Sequence, residues 1–324
     1  MRLPQPLVVV LLTVCASCSG YCQIVKRGGA PPPERVEMRQ THVSVAMATY
    51  GGRPVVEVAI NERGPFRLVL DTGAGGTVLT EELANEISIA SMGQAMLGRP
   101  GSDQVAPGTL RHVEKITIGA VELGGVFAVS TDLGLIFQGP DAPRGILAAS
   151  AFQGLVVTLN YPRHTVDFSK ESLPDADGKT VFDWPGDEPL PTARLQVNGV
   201  EVLAHIDSGS AAGLQLPISM IPKLTLAAKP EPASTAKSVG SETKVVQARL
   251  IGNVTLGQYT FADPVLRFHE SNAAVGNIGF EWLKDFAVSV EPARHRFRLT
   301  KTTATSGVIR PLLEPQTTAL GLAL

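Results

Sequence analysis

The stretch Phe66-Arg67-Leu68-Val69-Leu70-Asp71-Thr72-Gly73-Ala74 is an apolar segment that ends in an acidic turn, and the chain contains this pattern twice. The second copy reads Leu203-Ala204-His205-Ile206-Asp207-Ser208-Gly209-Ser210. A short strand pattern and a turn come before each copy, around Ile60-Asn61 in the first and Val197-Asn198-Gly199 in the second. An isolated Asp-Thr-Gly or Asp-Ser-Gly is usually just a turn, whereas two copies at matching places indicate an internal repeat.

The repeat continues downstream of both acidic turns. Gly145-Ile146-Leu147-Ala148 lies 74 residues after Asp71, and Gly276-Asn277-Ile278-Gly279 lies 69 residues after Asp207. Each segment is followed by two alternating apolar and polar stretches joined by a short turn, which is the period of half-buried strands in a hairpin. The sequence therefore predicts two matched halves built from strands.

Composition supports a folded, strand-rich protein. Of 324 residues, 44% are hydrophobic and 18% are charged, and the 32 Gly and 24 Pro residues favour many short strands and turns. The net charge of −2 gives no support for nucleic-acid binding. The six histidines have no metal-ligand spacing, and the three cysteines all lie at or before Cys22, so we expect no metal, no cofactor and no disulfide framework in the body.

The paired Asp-Thr/Ser-Gly turns, each with its later glycine in an apolar segment, resemble the bacterial retropepsin-like aspartyl proteases. The resemblance covers roughly residues 43–300, with two lobes in one chain. It implies a mainly β fold of two pseudo-symmetric aspartic-peptidase-like β-barrel lobes with a cleft between them. It also implies a hydrolase, an aspartic endopeptidase that needs no cofactor and acts on peptide or protein substrates.

The resemblance assigns catalysis to Asp71 and Asp207, one from each lobe. Two adjacent carboxyl groups cannot both ionise cheaply, so one keeps a proton, and the pair then supplies an acid and a base. This pKa argument is the established one for aspartic proteases in general. The residues that we expect to support the two active loops are Thr72, Gly73, Ala74, Ser208, Gly209 and Ser210.

Besides the Thr72/Ser208 pair of hydroxyl residues, the two active loops differ in that Ser210 stands where the first loop has Ala74. In the family, a serine there can donate a hydrogen bond to the outer oxygen of its own aspartate. We therefore predict that Asp207 holds the negative charge and that Asp71 holds the shared proton.

The resemblance also implies glycine-tipped hairpins, or flaps, that close over the substrate. The segment 92–108 of lobe 1, with Gly98, Gly101 and Gly108, is one candidate, and Val239-Gly240 of lobe 2 is the other. The alternative for both segments is an exposed loop without substrate contact.

Two departures from the family pattern leave a second function open. Ala148 stands where the family usually has glycine, and Asn277 interrupts the apolar pair of lobe 2. The alternative is a non-catalytic envelope protein that keeps the fold to bind peptides or partners. We expect a monomer, and a dimer whose lobes pair between chains stays open.

The N-terminus has the pattern of an export signal, with Arg2 before the apolar run Leu7 to Val14 and small residues after it. Cys18, after Ala16-Ser17, makes a lipoprotein signal the alternative, so the protein is expected to be periplasmic or extracellular, with a lipid anchor at Cys18 as the variant. We expect no membrane span and no nucleic-acid partner. The predicted division is a signal peptide at 1–22, a spacer at 23–42, lobe 1 at 43–170, a linker at 171–190, lobe 2 at 191–301 and a C-terminal tail at 302–324.

Overall fold

The computed structural model describes residues 30–98, 105–186, 188, 190–233, 235–238, 241–270 and 275–301. The predicted signal peptide and C-terminal tail lie outside these residues. Within them, strands dominate and helices are few and short, which confirms the predicted mainly β fold. The two α-helices are α1 (Glu81–Glu86) and α2 (Phe280–Leu283), and short 3-10 helices span Ala149–Ala151, Ile218–Lys223 and Pro292–Arg294.

The strands fall into two series that follow each other along the chain. The first series is β1 (Arg35–Met38), β2 (His42–Ala46), β3 (Ala48–Tyr50), β4 (Arg53–Ile60), β5 (Arg63–Asp71), β6 (Thr77–Thr80), β7 (Ser91–Gly98), β8 (Val105–Ile118), β9 (Val121–Thr131), β10 (Gly145–Ala148), β11 (Val156–Asn160) and β12 (Thr165–Ser169). The second series is β13 (Val181–Asp183), β14 (Thr192–Val197), β15 (Val200–Ile206), β16 (Leu214–Pro217), β17 (Glu231–Pro232), β18 (Ala236–Ser238), β19 (Ser241–Thr243), β20 (Val245–Arg249), β21 (Asn253–Leu256), β22 (Tyr259–Ala262), β23 (Val265–His269), β24 (Gly276–Ile278), β25 (Phe286–Glu291) and β26 (Arg296–Lys301).

A nine-stranded sheet, here called the N-terminal sheet, forms around β5. This strand pairs antiparallel with β4 and parallel with β10. The β10 strand then pairs with β6, β6 pairs with β9, and β8 pairs with both β9 and β4. These six pairings close a ring of strands, so the sheet forms a barrel-like lobe with its apolar side chains inside.

The C-terminal sheet repeats this connectivity around β15. That strand pairs antiparallel with β14 and parallel with β24, β24 pairs antiparallel with β16, and β16 pairs parallel with β23. Each pairing has its counterpart in the N-terminal sheet, in the same order and direction. The repeat in the sequence is therefore a repeat in strand topology.

A six-stranded sheet, here called the shared sheet, joins the two halves in the order β13-β26-β25-β11-β12-β2. Its central pairing is β11 with β25, which places Leu159 of the first half opposite Val288 of the second. Both side chains are fully buried, and they belong to one apolar cluster that contains residues of both halves. Apolar burial in this cluster therefore stabilises the two halves against each other.

Two segments that the sequence analysis predicts as a spacer and a linker contain strands of the fold. The predicted spacer at 23–42 contains β1, which pairs with β9 and buries Met38, and β2 begins at His42. The predicted linker at 171–190 contains β13, which pairs with β26, and Leu173 and Trp184 are buried. Strands of three or four residues are too short to show a clear alternation, so the Pro- and Gly-rich composition around them concealed both. The remaining lobe boundaries stay predictions.

We expect Leu159→Ala to lower the free energy of unfolding by about 2–5 kcal/mol, because it removes buried methyl groups at the join between the halves. Chemical denaturation followed by fluorescence and circular dichroism measures the change. Leu135, which is 36% exposed, provides the matched control, and Leu135→Ala should change stability by less than about 0.5 kcal/mol. Equal effects of the two substitutions would contradict the assigned role of the shared sheet.

Candidate active site

The two aspartates lie at equivalent ends of the two repeated strands. Asp71 is the last residue of β5, opposite Ala148 of β10. Asp207 directly follows β15, and its amide donates a hydrogen bond to the carbonyl of Ile278 in β24. Because each strand lies between two neighbours inside its sheet, the position of each aspartate is set by hydrogen bonds on both sides.

Thr72 and Ser208 bind the two active loops to each other through crossed hydrogen bonds. The amide of Thr72 donates to Ser208 Oγ at 2.9 Å, and the amide of Ser208 donates to Thr72 Oγ1 at 3.0 Å. Each hydroxyl in turn donates to a carbonyl of the opposite strand, Thr72 Oγ1 to Ile206 at 2.6 Å and Ser208 Oγ to Leu70 at 2.8 Å. Both side chains are buried, so all four bonds form away from water, where an unpaired polar group is costly.

The carboxyl group of Asp71 receives two backbone donors, one from each half. Asp71 Oδ1 accepts from the amide of Gly73 at 2.7 Å and from the amide of Gly209 at 3.1 Å. The charge of Asp207 also acts directly on the Asp71 carboxyl group. The structure thus brings the two predicted aspartates together within one chain.

The glycines of the two loops are required by this close approach. A Cβ atom at Gly73 would lie 2.6 Å from Asp207 Cγ, and one at Gly209 would lie 2.6 Å from Asp71 Cγ. Real Cβ contacts are longer than this, so any side chain would push the carboxyl groups apart. Ala74 and Ser210 follow these glycines, and both are half-buried beside the loops.

Burial and the neighbouring charge of Asp207 raise the pKa of Asp71 to about 8, while the amide bonds from Gly73 and Gly209 lower it in part. Asp71 is 9% exposed, whereas Asp207 is half-buried. Asp71 is therefore the member of the pair that holds the proton at neutral pH. Burial, followed by the charges of both aspartates, also raises the pKa of the buried Tyr161 hydroxyl, which stays neutral.

The donor to Asp207 is not the one that the sequence predicts. Ser210 Oγ accepts weak hydrogen bonds from the amide of Ala212 and from Gln215 Nε2, both at 3.4 Å, and within the described part of the chain it has no bond to Asp207. Instead, Asn277 Nδ2 donates to Asp207 Oδ2 at 2.6 Å. In the sequence, Asn277 only interrupts the apolar pair of the second repeat. The pairing of β24 with β15 places it beside the carboxylate of Asp207.

Arg53 is a second residue that sequence reasoning missed. It begins β4 in the first half, and its Nε donates to the carbonyl of Gly209 at 2.6 Å. This bond also crosses from one half to the other and further restrains the active loop of the second half. No local pattern marks Arg53, because the partner lies far away in the sequence.

The flap predictions have different outcomes. Gly98, the last residue of β7, pairs with Val105, the first residue of β8, so the two strands of this hairpin are present. Gly108 lies inside β8, where a Cβ atom would be 2.6 Å from Val129 Cγ1, and it is therefore a packing glycine and not part of a tip. Gly101, Val239 and Gly240 lie outside the described residues, although β18 and β19 pair on either side of the latter two.

Residues 56–151 match the family model described as aspartyl protease, which supports the resemblance to the retropepsin-like aspartyl proteases. The match includes Asp71 and the first active loop. A search of curated proteins finds no match. Among the described residues, no helix is long and apolar enough to cross a membrane, and no cluster of three His, Cys, Asp or Glu side chains has the arrangement of a metal site.

We expect the Asp71→Asn variant to fold and to lose part of the pH dependence of stability. The unfolded-state pKa of Asp71 is near 3.8 and its folded-state pKa is about 8, so the folded protein holds a proton that the unfolded chain releases. The free energy of unfolding therefore falls as pH rises from about 4 to about 8, by at most about 1.4 kcal/mol per pH unit for this group. Asparagine keeps the acceptor for Gly73 and Gly209 but does not titrate in this range.

Denaturant unfolding at pH 4 and pH 7.5 measures this effect. The Asp71→Asn variant should gain stability relative to the wild type at the higher pH, by at least about 1 kcal/mol. Asp141→Asn, at an 85% exposed side chain in the same half, is the control and should follow the wild type. A stability difference between the wild type and Asp71→Asn that does not change with pH would contradict the raised pKa.

Proposed function

We propose that this protein is an aspartic endopeptidase that hydrolyses peptide bonds with a water molecule activated between Asp71 and Asp207. The observation that carries the proposal is the close approach of the two active loops and their carboxyl groups, held by crossed bonds between equivalent residues. The match of residues 56–151 to an aspartyl protease family supports proteolysis in general. The use of one aspartate from each half of a single chain is the more specific part of the proposal.

The two carboxyl groups divide the chemistry between an acid and a base. The ionised Asp207 takes a proton from water as the water oxygen bonds to the peptide carbonyl carbon, and Asp71 gives its proton to the carbonyl oxygen. The resulting tetrahedral diol collapses when the C–N bond breaks and the amine nitrogen takes a proton from the acid that has formed on Asp207. One diol hydroxyl returns its proton to Asp71, which restores the starting state.

The neighbours of the pair favour this assignment of roles. Asp71 is deeply buried and has a raised pKa, which suits the group that enters the cycle protonated. Asp207 accepts the Asn277 amide hydrogen, and a donor to the charged form of a carboxyl group stabilises that form. The substrate that fits best is an extended peptide, because a site bordered by strands and hairpins can pair with a peptide backbone.

We expect Asp71→Asn and Asp207→Asn each to reduce peptide cleavage by at least about a thousandfold, because neither variant keeps both an acid and a base. A peptide-library digest between pH 3 and pH 8 measures the loss, with unfolding curves as the check on folding. The exposed Asp141→Asn variant should retain full activity. Full activity in either single active-site variant would exclude the shared pair.

The same assay separates the endopeptidase from the non-catalytic alternative. A wild-type protein that binds a transition-state mimic and cleaves peptides supports the proposal. Binding of peptides without any turnover over the whole pH range would favour a peptide-binding protein that keeps the fold. Activity per molecule that falls on dilution would indicate that chains must pair, against the arrangement within one chain.

We expect Asn277→Ala to move the acidic limb of the pH–rate profile upward by about one to two pH units. One hydrogen bond to a charged group is worth about 1.5–3 kcal/mol, and one pKa unit corresponds to about 1.4 kcal/mol. Ser210→Ala is the matched control in the same loop, and its profile should stay unchanged because its hydroxyl does not reach Asp207. A shift in Ser210→Ala without one in Asn277→Ala would reverse the assignment.

We further propose that the protein is exported to the periplasm or the exterior, on the basis of the signal pattern at 1–22. Cell fractionation and N-terminal sequencing of the mature protein test this. Removal of about the first 22 residues is the expected result for simple secretion, whereas a lipid-modified Cys18 as the first residue would indicate an anchor. Retention of Met1 in the cytoplasm would contradict export.

A further inference from the structure

The face of the C-terminal sheet beside Asp207 carries an unbroken row of polar side chains. Six directly paired residues on six adjacent strands form this row, called here the polar row. Its members, from β20 to β14, are Gln247, Arg267, Gln215, Asn277, His205 and Thr192.

The N-terminal sheet has a row at the matching register, and every member is apolar. This apolar row is formed by Leu110, Val129, Val78, Ile146, Val69 and Val55. All six side chains are at most 9% exposed, and they form a cluster with Leu133 and Phe137. Five of the six residues of the polar row, in contrast, are half-buried and only Thr192 is fully covered. The two halves therefore have the same strand arrangement, but the row of side chains beside the aspartate is polar in the second half and apolar in the first.

The polar row borders the reacting groups. Side chains alternate along a strand, so His205 lies on the same face of β15 as Asp207, and its neighbours Ala204 and Ile206 point into the core. Asn277 bonds to Asp207 directly, and Gln215 bonds to the hydroxyl of Ser210. A substrate that places its peptide bond at the carboxyl pair would therefore set a side chain against this row.

The charges on the row are balanced. Arg267 forms an ion pair with Glu281 at 3.0 Å. Burial lowers the pKa of His205, which favours its neutral form at physiological pH. The face beside Asp207 is therefore polar without an unpaired cation.

The hydrogen bonds made by the residues of the row leave three of its acceptor atoms unused. Thr192 Oγ1 donates to the carbonyl of Leu190 at 2.8 Å, so the 2.9 Å contact with His205 Nδ1 requires the histidine to donate, and His205 Nε2 is then an acceptor. Asn277 and Gln215 both use their amide nitrogens as donors, to Asp207 and to Ser210, which leaves Asn277 Oδ1 and Gln215 Oε1. No bond to these three acceptors occurs among the residues that the structure describes.

From this arrangement we propose that the polar row is a substrate subsite that selects an uncharged hydrogen-bond donor, an Asn, Gln, Ser or Thr side chain, on one side of the cleaved bond. The inference rests on the proposed peptidase function. An apolar side chain at this site would displace water from three acceptors without replacing the hydrogen bonds that the water made. A binding site discriminates strongly against a substrate group that leaves its buried polar atoms unpaired. A cationic side chain finds no unpaired carboxylate in the row, since Glu281 is already paired with Arg267.

A cleavage library with all amino acids at the positions flanking the cleaved bond tests the proposal. The wild type should prefer Asn, Gln, Ser or Thr over Leu, Val and Phe at one flanking position by at least about tenfold. Preference for apolar or for cationic residues at both flanking positions would overturn the subsite while leaving the peptidase proposal intact.

The His205→Val/Gln215→Val variant copies the apolar row, because Val69 and Val78 occupy the matching positions. Its preference at that flanking position should change to aliphatic residues by about tenfold or more, while the preference at the other flank stays as in the wild type. His205→Val alone is the second variant in case the double one does not fold, since the Thr192 hydroxyl keeps its bond to Leu190. Gln196→Val, at an exposed residue of β14, is the matched control and should leave both preferences unchanged.

Binding separates the failure of the subsite from the failure of the proposed function. An uncleavable peptide with a reduced bond and Gln at the selected position should bind the wild type at least about tenfold tighter than its norleucine analogue. Tighter binding of the Gln peptide by a protein that cleaves nothing would retain the subsite and reject the peptidase. Equal binding of the two peptides would reject the subsite.

Discussion

The structure depends on the crossed hydrogen bonds between Thr72 and Ser208. Four bonds among buried groups require both active loops to be present, in register and in contact, because any separation leaves unpaired amides and carbonyls away from water. The shared sheet brings the halves together, but this pair of hydroxyls fixes how the loops meet. The approach of Asp71 and Asp207, and the need for glycine after each, follow from that contact.

The proposed division of roles between the two aspartates depends on departures from the symmetry that the fold provides. Two adjacent carboxyl groups share one proton even in identical surroundings, and unequal surroundings decide which of the two holds it. In this chain, Asp71 is the more buried aspartate and accepts backbone amides from both loops, while Asp207 accepts a side-chain amide from Asn277. The residue that matches Asn277 in the first half is Ile146, which offers no donor. A single difference in the repeat therefore accompanies the proposed difference in roles. The polar row extends the contrast between the two halves across the sheet.

Much of the fold could be predicted from the sequence because its signals are local. Apolar alternation marked the hairpins after Gly145 and Gly276, and the two Asp-containing turns marked the ends of β5 and β15. The short strands β1 and β13 escaped prediction, since three or four residues give too little periodicity. Gly108 was misread as a flap glycine because a sequence does not distinguish a glycine at a hairpin tip from one packed against a neighbouring strand.

By itself, the sequence determined the strand-rich repeat and the two residues on which the proposed chemistry rests, because both are written in short contiguous patterns. The tertiary structure decided which groups surround those residues. Only strand register could place Asn277 instead of Ser210 on Asp207, bring Arg53 to the opposite loop and align six polar side chains beside the site. Burial and the approach of Asp207 raise the pKa of Asp71, and both depend on the atoms that the fold packs around the carboxyl group and not on its neighbours along the chain.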